Sequence, residues 1–218
     1  VTGSGYLNMN TFLNLAESYF RARNLIIDST FNFNQINPAD NSFEIENITT
    51  DKIVFCEGHH VTENPFFPFI KMNPTKGEVL LIHAPELSEE FILNKKVFVL
   101  PVGNRRFKVG STYEWKDLTE TTTENGKASI VERLDNLILS DYKIEEHHAG
   151  IRPTVSDRRP ILGIHPEFKN ISIFNGLGTK GVMLAPFFAK EMIRVLTIDN
   201  YFTQKEARLD RFLSDAKR

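Results

Sequence analysis

The stretch that decides the fold begins with Gly150-Ile151-Arg152-Pro153 and ends with Gly176-Leu177-Gly178-Thr179-Lys180-Gly181. Between these motifs, Asp157, Pro160 and Gly163 complete the spacing G-x-R-P-x3-D-x2-P-x2-G. The second motif follows an apolar run at 171–174 and precedes a helical pattern, which predicts a strand, a glycine-rich turn and a helix. Such a turn lets the backbone approach a planar or anionic group, and the helix start directs N–H groups towards it. A plain tight turn is the alternative.

The letters of the glycine-rich turn fit G-x-G-x-x-G, but the surrounding sequence does not predict a complete dinucleotide-binding unit. That unit requires a further strand ending in an acidic residue after the helix. Residues 182–218 contain no second strand pattern. Taken alone, the turn is therefore either a close backbone contact to a planar or anionic group or a plain tight turn.

The remaining sequence predicts an α/β (α+β) architecture. A helix with Asn10 as its N-cap leads into a buried strand at Leu25-Ile26-Ile27, and residues 204–218 predict a charged, exposed helix. Gly103-Asn104 is a hairpin-turn signal between two apolar runs. The other predicted elements are strands at 52–55, 78–82, 97–100, 107–113, 142–148 and 171–174, and helices around 130–138 and from about 180 onwards.

The composition indicates an ordinary globular protein with neither a nucleic-acid nor a membrane partner. Of the 218 residues, 41% are hydrophobic and 25% are charged, and the net charge of −2 leaves no basic stripe. No apolar run reaches the ~20 residues of a membrane helix, and no signal-peptide pattern opens the chain. The single cysteine, Cys56, excludes an internal disulfide and a cysteine-cluster metal site. We expect a cytoplasmic protein without a metal site.

Residues 150–186 resemble, without gaps, the C-terminal signature of the D-amino-acid-oxidase/glycine-oxidase family of FAD-dependent oxidoreductases. The signature combines G-[LIF]-R-P, D-x-x-P and G-x-x-x-x-G, and it ends in a small residue followed by Ala185-Pro186. Upstream, residues 73–80 are similar to the family's P-x-K-G-[EQ] strand, and residues 103–114 are similar to its glycine-containing hairpin. The resemblance covers about residues 5–196.

The resemblance implies a two-lobed flavoenzyme. One lobe is Rossmann-like and binds FAD, and the other holds the substrate on a large mixed, mainly antiparallel sheet flanked by helices. We assign residues 1–65 to the C-terminal part of the FAD-binding lobe and residues 66–150 to the substrate-binding lobe. Residues 151–200 form the return segment to the FAD-binding lobe, and residues 201–218 form the C-terminal helix.

The resemblance also implies FAD as the cofactor. It is expected to be non-covalent, because no Cys follows Arg152 where some relatives attach their flavin. The family's N-terminal fingerprint, which binds the ADP half of FAD, is absent from this sequence. The fragment alone is therefore expected to hold no FAD and to be inactive. Six residues are expected to contact the cofactor: Gly58, Gly176, Gly178, Thr179, Lys180 and Gly181.

The substrate side of the site is expected around Arg152, which inherits the salt bridge to a substrate carboxylate. A structural arginine that closes the turn before Pro153 is the alternative. Tyr113 could supply a pocket hydroxyl, because Phe98 stands where glycine oxidase has a tyrosine. His148 adjoins the signature and is expected near the pocket. The departure at Phe98 argues against glycine itself as the substrate.

The activity implied by the resemblance is oxidation of the C–N bond of a small amine or amino acid by hydride transfer to flavin N5. Two alternatives stay open. One is the oxidase half of a tRNA wobble-uridine-modifying enzyme, whose glycine-rich turn is similar. The other is a non-catalytic flavin-binding or subunit-type module. Apolar strands near 25–33 and 53–56, if uncovered, would allow self-association.

Overall fold

The computed structural model describes residues 5–213, which form three α-helices and ten strands. The helices are α1 (Met9–Arg21), α2 (Glu124–Asp135) and α3 (Gly181–Thr197). The strands are β1 (Phe43–Ile45), β2 (Ile48–Thr50), β3 (Ile53–Phe55), β4 (Thr75–His83), β5 (Leu93–Lys95), β6 (Val97–Gly103), β7 (Arg106–Gly110), β8 (Lys143–Arg152), β9 (Ile161–Ile164) and β10 (Ile171–Asn175). The mixed α/β architecture expected from the sequence is confirmed.

The larger sheet has the strand order β5-β6-β7-β4-β8, and every neighbouring pair is antiparallel. The predicted hairpin turn joins β6 to β7, with Gly103 and Asn104 both at positive φ. Helix α2 covers one face, where Ile130 and Leu134 are fully buried against apolar residues of β4, β6 and β7. The opposite face bears Thr75 and Arg152, which line a cavity.

The smaller sheet has the order β3-β10-β9, with β10 parallel to β3 and antiparallel to β9. Helix α3 packs on one side of it, where Phe188 and Met192 contact Leu162. The other side forms a second apolar core that includes Phe55 and Phe67. The alternation of side chains along each strand places the two cores on opposite faces. Strand β9 and the small hairpin of β1 and β2 were not predicted.

The first helix begins earlier than predicted. Asn8, rather than Asn10, is its N-cap, and the Asn8 side chain accepts a hydrogen bond from the Thr11 N–H at 3.2 Å. The apolar face of α1 is exposed, because none of its residues is buried. The predicted strand at 25–27 is wrong, since Leu25 and Ile27 are 64% and 49% exposed and pair with no described strand. An apolar run becomes a strand only beside another strand that supplies hydrogen-bond partners.

The predicted C-terminal helix is also wrong for the residues that the structure describes. Residues 205–207 and 209–212 form two short 3₁₀ turns, and Ala207, Leu209 and Phe212 are buried. Arg211 binds Asp157 of the signature at 2.7 Å, which ties the segment to the return turn. Buried positions two and three residues apart do not follow a single helix face, and the segment instead lies against β9. Residues 214–218 of that prediction lie outside the described part.

Leu209 tests whether the C-terminal segment is part of the core. Leu209→Ala removes a side chain that is 3% exposed and packs among the residues of the second core, so we expect the free energy of unfolding to fall by about 2–5 kcal/mol. Leu139→Ala is the matched control, because Leu139 is fully exposed and should change stability little. Urea unfolding of both variants measures the difference. Equal, small effects would contradict the buried position of Leu209.

Candidate functional site

A cavity of about 370 Å³ lies between the free face of the larger sheet and the glycine-rich turn. Three of its lining residues are cationic, namely Arg152, Arg158 and Lys180, and none is an aspartate or glutamate. Such a lining favours an anionic or electron-rich ligand. The remaining lining residues are Asn73, Thr75, Tyr113, Trp115, Thr154, Gly176, Leu177, Gly178, Thr179 and Leu184.

Arg152 is the last residue of β8, and its guanidinium is fixed on the free face of the sheet. Its Nη2 donates to Ser111 Oγ at 2.6 Å, and its Nη1 donates to the Thr112 carbonyl at 3.3 Å. The Tyr113 ring lies 4.6 Å from the guanidinium carbon. Burial lowers the pKa of Arg152, and the nearby Tyr113 opposes that shift, but arginine stays charged. A guanidinium has five donors, so those not bonded to Ser111 and Thr112 can face the cavity.

The wall beside Arg152 is an aromatic pair. The rings of Tyr113 and Trp115 are stacked with centroids 6.3 Å apart, and the two side chains are 56% and 52% exposed. Trp115 was not singled out from the sequence, although a spacing of two residues in an extended segment places both rings on one side. The pair can cover an apolar part of a ligand whose anionic group is bound by Arg152.

The aromatic segment is anchored to β4 by a buried lysine. Lys76 is 0% exposed, its N–H donates to the Glu114 carbonyl at 2.8 Å, and its Nζ lies 2.5 Å from Asp117 Oδ2. The Lys76 amino group and Thr119 hold the pKa of Asp117 well below its usual range. A buried ammonium without a partner is costly, so this ion pair couples the position of Tyr113 and Trp115 to β4.

The glycine-rich turn contributes three glycines with different environments. Gly178 has a φ of 56°, and a Cβ there would meet only Thr154 at 3.7 Å, so the turn exposes bare backbone to the cavity. Gly176 has a φ of 71°, and a Cβ would collide with Val155, which makes it a packing glycine. Gly181 opens α3 with ordinary helical dihedrals. The exposed backbone and the start of the 17-residue helix α3 fit the electron-rich edge of a flavin.

Six of the ten predicted site residues line this cavity, and four do not: Gly58, Gly181, Phe98 and His148. The Gly58 carbonyl accepts a hydrogen bond from Asn175 at 2.8 Å, beneath the turn. The Phe98 ring lies over Gly110, away from the lining. His148 lies four residues from Arg152 along β8, about 13 Å away, and it contacts Glu146 at 2.6 Å.

His147 and Cys56 lie outside the cavity. His147 points to the face opposite His148, as expected for neighbouring strand residues, and its Nε2 lies 2.8 Å from the buried Glu78 carboxylate. Cys56 directly follows β3 and is exposed. Within residues 5–213, no three His, Cys, Asp or Glu side chains gather as metal ligands, and no described helix is long and apolar enough to cross a membrane.

The Lys76–Asp117 ion pair should make the stability of the fold decrease at low pH. Because the pKa of Asp117 is depressed in the folded state, the stabilisation is present above the ordinary aspartate pKa of about 3.9 and is lost as the pH falls through the depressed value. Asp117→Asn should therefore lower the melting temperature at pH 7. The difference in melting temperature between this variant and the native chain should become smaller below about pH 4. Asp141→Asn, at an exposed site, is the control. A gap that does not change with pH would contradict the pairing.

Comparisons with known proteins agree with this geometry. Residues 32–195 match the family described as FAD dependent oxidoreductase, DAO. The chain is 26% identical over 146 residues to glycine oxidase of Bacillus subtilis (strain 168), which covers 64% of this chain and 39% of that protein. It is 25% identical over 121 residues to glycine oxidase of Geobacillus kaustophilus (strain HTA426), covering 54% of this chain and 32% of that protein. The chain thus spans less than half the length of these curated relatives.

Solved structures show the same fold. The crystal structure of glycine oxidase from Geobacillus kaustophilus aligns with a TM-score of 0.67 at 18% identity, over 78% of this chain and 49% of that one. The iminodiacetate oxidase from Chelativorans sp. BNC1 aligns with a TM-score of 0.64 at 23% identity, over 73% of this chain and 46% of that one. Since the family match spans most of the residues that build both sheets and the cavity, the chain belongs to the DAO family of FAD-dependent oxidoreductases.

Proposed function

We propose that the protein containing this chain oxidises the C–N bond of a small amino acid or carboxylated amine. The observation that carries the proposal is the position of Arg152, half-buried on the sheet with donors towards a cavity that no acidic residue lines. A guanidinium binds a carboxylate through two parallel hydrogen bonds and stays charged at any working pH. The family to which the chain belongs supplies the oxidoreductase chemistry.

FAD is the proposed cofactor, and bound FAD supplies the hydride acceptor at its N5. The residues expected to hold its isoalloxazine edge are Gly178, Thr179 and Lys180, which line the cavity opposite Arg152. Exposed N–H groups of the turn and the positive end of the α3 dipole stabilise negative charge there. Lys180 adds a positive charge at the same edge. We retain the expectation of a non-covalent cofactor.

Arg152 contributes by orienting the substrate and not by acid–base catalysis. Arg152 binds the carboxylate and so fixes the carbon next to the nitrogen relative to the glycine turn, which is an orientation effect. Arg152 cannot act as a base, because it does not deprotonate in proteins. The stacked Tyr113 and Trp115 rings shield that carbon from water.

The proposed substrate is larger than glycine. The exposed rings of Tyr113 and Trp115 offer apolar area beyond the carboxylate contact at Arg152. Relatives named as glycine oxidase and iminodiacetate oxidase act on amino acids or on an N-substituted amine with carboxylates. We therefore propose an amino acid with a side chain, or an N-substituted amino acid.

Arg152→Ala tests the carboxylate contact in the FAD-loaded protein. The lost charge-assisted hydrogen bonds are worth about 1.5–3 kcal/mol, so kcat/KM for carboxylate substrates should fall by roughly 10- to 150-fold. FAD content should hardly change, because the guanidinium is not expected to hold the flavin. Steady-state kinetics and the flavin absorbance measure the two effects. Unchanged kcat/KM on every carboxylate substrate would contradict the role of Arg152, and an absence of amine oxidation in the native protein would favour a non-catalytic module.

Gly178→Ala tests the cofactor contact. A Cβ at positive φ costs about 1–2 kcal/mol in stability and also projects into the space proposed for the flavin. Gly103→Ala is the matched control, since Gly103 also has a positive φ and open space but lies in the β6–β7 turn. Both variants, made in the full protein that contains this chain, should lose similar stability, whereas only Gly178→Ala should weaken FAD binding in a fluorescence titration. Equal FAD affinity in the two variants would support a plain structural turn.

A further inference from the structure

Two glycines face each other in the larger sheet, two residues along the strands from Arg152. Gly77 of β4 pairs with Gly150 of β8, and Thr75 pairs with Arg152. The two glycines differ sharply in what surrounds them. A Cβ added at Gly77 would overlap the Nη1, Nη2 and Cζ atoms of Arg152, whereas a Cβ added at Gly150 would meet nothing within 4 Å. The Arg152 side chain therefore folds back across β4 and lies in the space that a side chain at residue 77 would fill.

We propose that Gly77 is a positioning residue for carboxylate recognition, because its bare backbone is the surface on which the Arg152 guanidinium lies flat. The inference rests on the proposed role of Arg152 as the carboxylate ligand. It adds the reason why the guanidinium adopts one orientation. Gly77 contacts no ligand in this proposal and acts only through Arg152.

The guanidinium is confined from several directions. Gly77 lies beneath it, Ser111 Oγ accepts from one edge at 2.6 Å, and the Tyr113 ring lies 4.6 Å from its central carbon. Arg152 also lines the cavity, so the N–H groups not used in these contacts can reach a ligand there. Any Cβ at residue 77 would lift the guanidinium from the sheet, break the bond to Ser111 and turn the free donors away from a bound carboxylate.

A purely structural reason for Gly77 is not supported by its surroundings. Gly77 has no positive φ, so its backbone conformation does not require glycine. The three heavy atoms closest to an added Cβ all belong to Arg152, and none belongs to the backbone or to the core. Glycine in the middle of a strand weakens the strand, so its presence here needs a reason outside strand stability.

Trp115 offers a direct readout, because it is the single tryptophan of the chain and lines the same cavity as Arg152. The 218-residue chain is titrated with sodium acetate at constant ionic strength while its tryptophan fluorescence is recorded. Four proteins are compared with the native chain: Gly77→Ala, Gly150→Ala, Arg152→Ala and the double variant Gly77→Ala/Arg152→Ala. Melting temperatures are measured in parallel to show that each variant is folded.

We expect Gly77→Ala to weaken acetate binding by about 10-fold or more, as Arg152→Ala does, while Gly150→Ala keeps the native affinity. The double variant should bind no more weakly than Arg152→Ala alone, because Gly77 acts only through that side chain.

Folded Gly77→Ala with native affinity, while Arg152→Ala loses binding, would overturn the inference and leave the role of Arg152 intact. Acetate binding that is the same with and without Arg152, or absent, would instead overturn the carboxylate role of Arg152 and the inference with it. If Gly77→Ala does not fold but the double variant does, the clash with Arg152 is established directly. If neither folds, Gly77 serves the sheet itself and the inference is wrong.

Discussion

The pairing of β4 with β8 is the interaction on which the site depends, because it joins nine residue pairs from Thr75–Arg152 to His83–Lys143. Alternation along β4 sends Leu80 and Ile82 into the core under α2, and it leaves Thr75 and Gly77 on the opposite face. One strand therefore builds the hydrophobic core and the ligand face at the same time. A shift of one residue in this register would exchange the two faces and bury the Arg152 guanidinium.

The two buried charged residues of β4, Lys76 and Glu78, each bind a polar group of a neighbouring segment. Lys76 is fully buried and meets Asp117, while Glu78 accepts from the Thr123 N–H and hydroxyl at 2.9 and 2.8 Å. The Thr123 side chain also caps α2, so the buried Glu78 fixes the helix start relative to β4. Because each buried charge reaches a neighbouring segment, the polar network sets where α2 and the aromatic wall lie, which apolar contacts alone would not specify.

The sequence predicted best where local chemistry determined the outcome. The G-x-R-P motif, the hairpin turn at Gly103-Asn104 and the turn after β10 all depend on residues within a few positions of one another, and each lies where expected. The strand at 25–27 failed because a strand exists only through a neighbour that local sequence does not reveal. The helix predicted for the C-terminal segment was wrong because three of its residues are buried by packing against β9, which the charged local sequence does not indicate.

Phe98 and His148 lie outside the cavity for a different reason. Phe98 and His148 share the ligand face of the larger sheet with Arg152, but His148 is separated from it by about 13 Å along the strand. Neighbouring positions in a motif are close along the chain, whereas the residues that line a cavity are close in space and can come from different strands. This explains why Trp115, which was not predicted, lies beside Arg152 through the bridge between Lys76 and Glu114.

The three glycines of the glycine-rich turn differ in the physical reason for which each position is a glycine. Gly176 is required because Val155 occupies the space of its missing side chain, Gly178 has a left-handed backbone that faces open cavity, and Gly181 has neither constraint. Gly178 therefore combines a left-handed backbone, which favours glycine, with open space that a ligand can reach. Gly77, outside any turn, is constrained differently, since the atoms that would clash with an added side chain belong to Arg152. A glycine indicates function when the space it leaves is filled by a functional group or left open to a ligand.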